Sequence, residues 1–127
     1  ATAAPALLAC ALSASLQLIV QGDQLRAQLR ERIGQLRAGL IDLLPGTGWR
    51  LGESVTAIQP LVIGRNDVAL EVMEGLRHRG VWVPAIRPPT VAEGTARLRI
   101  ALSATHRESD VERLLMALAE LAPTYRI

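Results

Sequence analysis

Gly80-Val81-Trp82-Val83-Pro84-Ala85-Ile86-Arg87-Pro88-Pro89-Thr90, followed by Thr95-Ala96-Arg97-Leu98-Arg99-Ile100, decides how the chain folds. The stretch predicts strand, rigid corner and return strand. Val81, Trp82, Val83 and Ile86 are of the β-branched and aromatic kinds that suit a pleated surface. Pro84 is expected to end or edge that strand, because proline cannot donate to a sheet ladder. Pro88-Pro89 fix two successive φ angles and push Arg87 and Pro88 into extended geometry. In the return strand, Leu98 and Ile100 alternate with Arg97 and Arg99, so one face is apolar and the other carries two guanidiniums. Guanidinium pairs suit anions, carboxylates first.

Upstream, residues 2–20 read as a helix with Pro5 in its first turn. It is apolar nearly all round, which predicts burial on several sides, with Cys10 as core. In the chain by itself, that surface would be exposed or would pair with a second copy. Residues 24–44 form a second helix, on which Leu25, Leu29, Ile33, Leu36, Leu40 and Leu44 recur at helical spacing. Gly22-Asp23 bends or separates the two, and Pro45-Gly46-Thr47-Gly48 ends the second. Gly46-Thr47-Gly48 is no phosphate loop, since the Walker lysine is missing and no helix opens after it. Residues 49–60 read as loop entering a strand over 56–63, with Ala57, Leu61 and Ile63 inward and Pro60 marking an edge or a break. Asn66 or Asp67 is expected to cap a helix to about Arg79, with Val68, Val72, Met73 and Leu76 buried and Gly80 at C′. His78 there complements the helix dipole. Downstream, His106 sits at a strand-to-helix junction in a structural hydrogen-bonding role. A last helix follows from Glu108 to about Pro123, with Ser109 or Thr105 available as cap. The order α-α-β-α-β-β-α predicts an α+β fold, a small, mainly antiparallel sheet with helices packed on one face. Residues 1–44 read as a helical linking segment and 45–127 as the α+β domain.

Composition narrows the function. The 127 residues carry a formal net charge of +2, and aromatics make up only 2%. A near-neutral balance without stacking platforms argues against a nucleic-acid partner. Cys10 is the one cysteine, so no internal disulfide forms and a reducing cytoplasm is expected. The apolar run near the start lacks a basic n-region and breaks at Gln17, so neither a signal peptide nor a membrane span is expected. All 14 basic residues are arginine.

Val83-Pro-Ala-Ile-Arg-Pro-Pro-Thr-Val91, Gly94-Thr-Ala-Arg-Leu-Arg-Ile100 and Ser103-Ala-Thr-His106 together resemble the C-terminal end of the α-oxoamine synthases, in the branch that makes 8-amino-7-oxononanoate. The resemblance runs from Thr2 to about Leu118. Ile86-Arg-Pro-Pro-Thr-Val91 is its most specific piece. Ala92, where the family often has proline, and Thr105, where it often has alanine, are mild departures.

The resemblance implies the C-terminal small domain of a fold-type I transferase that uses pyridoxal phosphate. It implies a homodimer that condenses L-alanine with a pimeloyl thioester, on a carrier protein or coenzyme A, with loss of carbon dioxide, in biotin biosynthesis. Such enzymes hold the cofactor on a lysine amine. With no lysine, and starting at Ala1, the chain is expected to be a C-terminal part that is inactive alone. By the same resemblance, Arg99 is expected to clamp the alanine carboxylate and Thr90 to bind substrate, while Thr2 is read either as the cap of the first helix or as a residue that helps hold the cofactor phosphate. Arg87 is read as a substrate contact or as a support of the corner, Arg97 as a structural ion-pair partner. A catalytic residue is not expected within these residues. The competing reading is a small non-enzymatic α+β module that binds a carboxylate or dimerises through its first helix.

Overall fold

The computed structural model describes residues 3–127. Helix α1 (Ala6–Val20) and helix α2 (Asp23–Leu43) are followed by β1 (Arg50–Leu51), β2 (Ile58–Gly64), α3 (Asn66–His78), β3 (Ala85–Ile86), β4 (Ala96–Ala101) and α4 (Glu108–Tyr125). The four strands form one antiparallel sheet in the order β1-β2-β4-β3. Alternation decides its two faces. Leu61 and Ile63 of β2 and Ala96, Leu98 and Ile100 of β4 point into the core, all at most 2% exposed. Against them pack Leu36 and Leu40 of α2, Ala69, Val72 and Leu76 of α3, and Val111, Leu114 and Leu118 of α4. Helices therefore cover one face, as the sequence predicts, and the other is open.

Several local expectations are corrected. The segment before Pro84 is not a strand. β3 begins after the proline, whose carbonyl accepts the Arg99 amide at 2.9 Å. β1 was not foreseen in the loop after Trp49. Because it pairs with β2, the Pro60 strand lies inside the sheet rather than at its edge. Within β2 the inward set is Gln59, Leu61 and Ile63, and Ala57 lies outside the strand. Neither Asn66 nor Asp67 caps α3, where the N-cap is Arg65 in extended conformation. At α4 the cap is Arg107, closed by a capping box with Asp110, whose carboxylate accepts the Arg107 amide at 2.7 Å. Pro123 lies within α4, which continues to Tyr125.

Gly80 behaves as expected. Its φ is +76°. Its amide reaches the Arg77 carbonyl at 3.0 Å, and Val81 reaches Leu76 at 3.0 Å, the paired bonds of a Schellman cap.

No α1 residue is buried. Leu7, Leu12, Leu16, Leu18 and Val20 all lie in solvent, and Cys10 is exposed rather than core. The exposed half of the expectation for α1 therefore holds, and the buried half does not. A bend of 65° separates α1 from α2, and no single helix among the described residues is long and apolar enough to cross a membrane.

Candidate substrate-binding face

The open face of the sheet is built by strand parity. Arg97 and Arg99 point away from the buried Leu98 and Ile100. The ladder sets them in rows. One row runs Arg50, Val62, Arg97, Ile86 across all four strands. In the next, Arg99 lies beside Pro60 of β2 on one side and Pro84 on the other. A third pairs Ile58 with Ala101. The three guanidiniums thus stand among apolar neighbours, and the paired strand residues of this face include no carboxylate. Arg97 and Arg99, two apart on one strand, have Cα atoms roughly 7 Å from each other.

Arg97 differs from expectation. Its Nε donates to the Thr95 carbonyl at 3.1 Å, and among the described residues it has no ion-pair partner. Arg99 is exposed, with its side chain uncommitted among the described residues. The corner is a tight turn in which the Thr90 amide donates to the Arg87 carbonyl at 3.0 Å, with Pro88 and a cis-linked Pro89 between them. Arg87 and Thr90 are both exposed. Since Ile86 pairs with Arg97, the corner emerges at the Arg97 end of the face. The main clefts of the described residues do not enclose Arg87, Thr90 or Arg99. These residues lie on an open wall, and the structure does not bring Thr90 and Arg99 into one cavity. A neighbouring cleft of about 660 Å³ shares Arg50 and Val62 with this face and is closed by Glu93-Gly94 and the start of α3. Thr2 lies outside the described residues.

A polar group that no sequence motif marks lies under the wall. Gln59, next to Pro60, points into the core and is fully buried. Its Oε1 accepts from Arg37 Nη1 at 2.6 Å. Its Nε2 donates to the carbonyls of Thr56 at 2.7 Å and Ser54 at 3.2 Å. Arg37 Nη1 also reaches the Gly52 carbonyl at 3.1 Å. The parity of Gln59 with Leu61 and Ile63 was the available signal.

His106 meets its expectation. Its Nδ1 accepts the Ser103 amide at 2.9 Å, so the ring ties down the turn before α4. His78 lies 3.5 Å from Glu74 in the last turn of α3. The bond from Arg77 holds the Glu74 carboxyl below its ordinary pKa, and the Arg65 bond does the same for Asp67.

Known proteins supply the family. Residues 1–118 match the profile of the family described as aminotransferase class I and II. The 8-amino-7-oxononanoate synthase of Paracidovorax citrulli is 70% identical over 126 residues, which cover 99% of this chain and 31% of that protein. The chain thus spans about a third of the length of the curated relatives it matches. The solved serine palmitoyltransferase of Sphingomonas wittichii is 26% identical with a TM-score of 0.79, covering 88% of this chain and 28% of that one. The 8-amino-7-oxononanoate synthase of Francisella tularensis shares the fold at a TM-score of 0.80 and 18% identity, covering 97% of this chain and 35% of its own. Enzymes of this group depend on pyridoxal phosphate. The residues here do not fit its covalent attachment, because an arginine guanidinium does not take the place of the lysine amine. On the match of residues 1–118, the chain belongs to the aminotransferase class I and II family, and over nearly its whole length it is similar to 8-amino-7-oxononanoate synthases.

Proposed function

We propose that this chain forms the small-domain wall of an acyltransferase that joins L-alanine to a pimeloyl thioester, with loss of carbon dioxide, to give 8-amino-7-oxononanoate. The observation that carries the reading is Arg99, a guanidinium uncommitted among the described residues on an open sheet face, with a proline beside it on either side. A guanidinium fork accepts a carboxylate through two parallel hydrogen bonds, fixing both position and plane. The same face offers Thr90 and Arg87 at the corner as further substrate contacts. Pyridoxal phosphate, held by residues of a longer polypeptide or a second subunit, supplies the electron sink. Within this chain the work is binding and orientation. The acyl carrier is a carrier protein or coenzyme A, and the working unit is a homodimer.

The test exchanges this chain for the matched stretch of the Paracidovorax citrulli synthase and compares Arg99 variants of that chimera. Hydrogen bonds to charged groups contribute about 1.5–3 kcal/mol each. Arg99→Ala is therefore expected to weaken alanine use by tenfold or more while sparing the thioester KM and the visible absorbance of bound cofactor. Arg99→Lys is also expected to be poor, because a point charge lacks the fork. An Arg99→Ala chimera with unaltered alanine kinetics would refute the assignment.

A further inference from the structure

Proline at position 60 creates a structural problem that Arg37 solves. In an antiparallel ladder, two hydrogen-bonded residues exchange both amide bonds. Gly52 donates to the Pro60 carbonyl at 2.9 Å, but Pro60 has no N–H to return. The Gly52 carbonyl instead receives Arg37 Nη1 from α2, and the same nitrogen holds the side chain of Gln59. Gln59 in turn holds the 52–57 loop through the Ser54 and Thr56 carbonyls. Packing at this point is tight, since a Cβ on Gly52 would lie 2.6 Å from Pro60 Cγ. The lock therefore fixes the one β2 residue that lies directly beside Arg99.

On the other side Arg99 donates its amide to Pro84, and Pro84 likewise has no amide to give back. Arg99 thus keeps one of the two usual ladder bonds at its Pro84 pair, and Pro60, its non-hydrogen-bonded neighbour on the other side, keeps one of two at its Gly52 pair. Where the ladder is thin, side-chain bonds from beneath set the position of the strand.

We propose that Arg37, acting with Gln59, is a positioning residue for the Arg99 guanidinium. It sets the seat of Pro60, and through it the angle at which Arg99 meets the amino-acid carboxylate. This rests on the reading of Arg99 as the carboxylate clamp and adds how that clamp is aimed. Arg37 itself is half-buried on α2, beneath the sheet, and makes no contact with substrate.

The experiment is a double-mutant cycle in the same chimera, read as the alanine KM against kcat and the thioester KM. Arg37→Met is expected to raise the alanine KM about tenfold, within the range of coupling inside one hydrogen-bond network, and to leave the thioester KM unchanged. In an Arg99→Lys background the same change is expected to add little, because the fork it aims is already gone. Arg37→Lys keeps a donor for the two oxygens and is expected to restore most of the alanine KM, which a general loss of packing would not predict. It also keeps the test open should Arg37→Met fail to fold, since Arg37→Lys must then show a small KM shift confined to alanine. If Arg37→Met multiplies the alanine KM equally in both backgrounds, or shifts both KM values together, the lock is structural only and the proposal is overturned. If Arg99→Lys leaves the alanine KM untouched, the clamp reading falls first, and this inference falls with it.

Discussion

Replacing Gln59 by leucine tests the buried polar group under the sheet. The two side chains have similar volume, so steric change is small and the effect isolates the hydrogen bonds. The substitution removes one bond from Arg37 and two to loop carbonyls. Each ordinary bond contributes a net ~1 kcal/mol, and the one to the guanidinium about 1.5–3 kcal/mol. Burying an apolar side chain in place of a polar one offsets roughly 1–2 kcal/mol of this. The expected loss is therefore about 2–3 kcal/mol, a large share of the total stability of a domain this size. Urea unfolding, followed by circular dichroism, measures it as a lower midpoint at constant slope. The sharper test is Arg37→Met combined with Gln59→Leu. Removing both partners leaves no orphaned charge, so the double variant is expected to be more stable than the sum of the two single losses requires, by at least 1 kcal/mol. A Gln59→Leu midpoint equal to the parent would show that the network contributes nothing to folding, and strict additivity would show that Arg37 and Gln59 are not coupled.

Other outcomes follow from single positions. Gly80→Ala is expected to cost about 1–2 kcal/mol in the same unfolding assay, because a Cβ there meets Arg113 Nη2 at 2.7 Å on a backbone with φ of +76°. Asp67 and Glu74 have carboxyl pKa values lowered chiefly by bonds from Arg65 and Arg77. Their contribution is present above the ordinary carboxylate range and lost as pH falls through the depressed values, so unfolding midpoints should decline on acidification below about pH 4 and less steeply in high salt. Leu12→Ser and Leu16→Ser on α1 are expected to leave the unfolding midpoint of the 127-residue chain unchanged, since neither side chain is buried, while reducing its self-association in sedimentation.

Legibility followed the physics of each segment. The antiparallel sheet, the single helical face and the Gly80 cap were readable because alternation of Leu98 and Ile100 with arginine, helical leucine spacing and a C′ glycine are local signals. The two-residue strands were not. β1 and β3 are short enough that tertiary pairing, not propensity, decides them. Pro60 misled because proline usually marks an edge, whereas here the guanidinium from α2 takes up the Gly52 carbonyl that the missing amide leaves. The burial of α1 failed because an all-round apolar helix needs neighbours on every side, and the described residues provide none. Arg99 and Thr90 could be named from the resemblance, but the wall they stand on is only one side of a site. Arg37 and Gln59 went unnoticed because a hydrogen-bond network spanning 22 residues of sequence has no periodicity to betray it.

The sheet ends on both sides in strands of two residues, one of them stopped by Pro84 and the diproline corner. So short a border gives a foreign strand almost nothing to grip, and proline beside it removes part of what remains. Clumping of this polypeptide should therefore proceed helix first, through greasy α1 surfaces, into amorphous particles that keep their native circular dichroism. Cross-β fibres that bind thioflavin would be the wrong product for such a border.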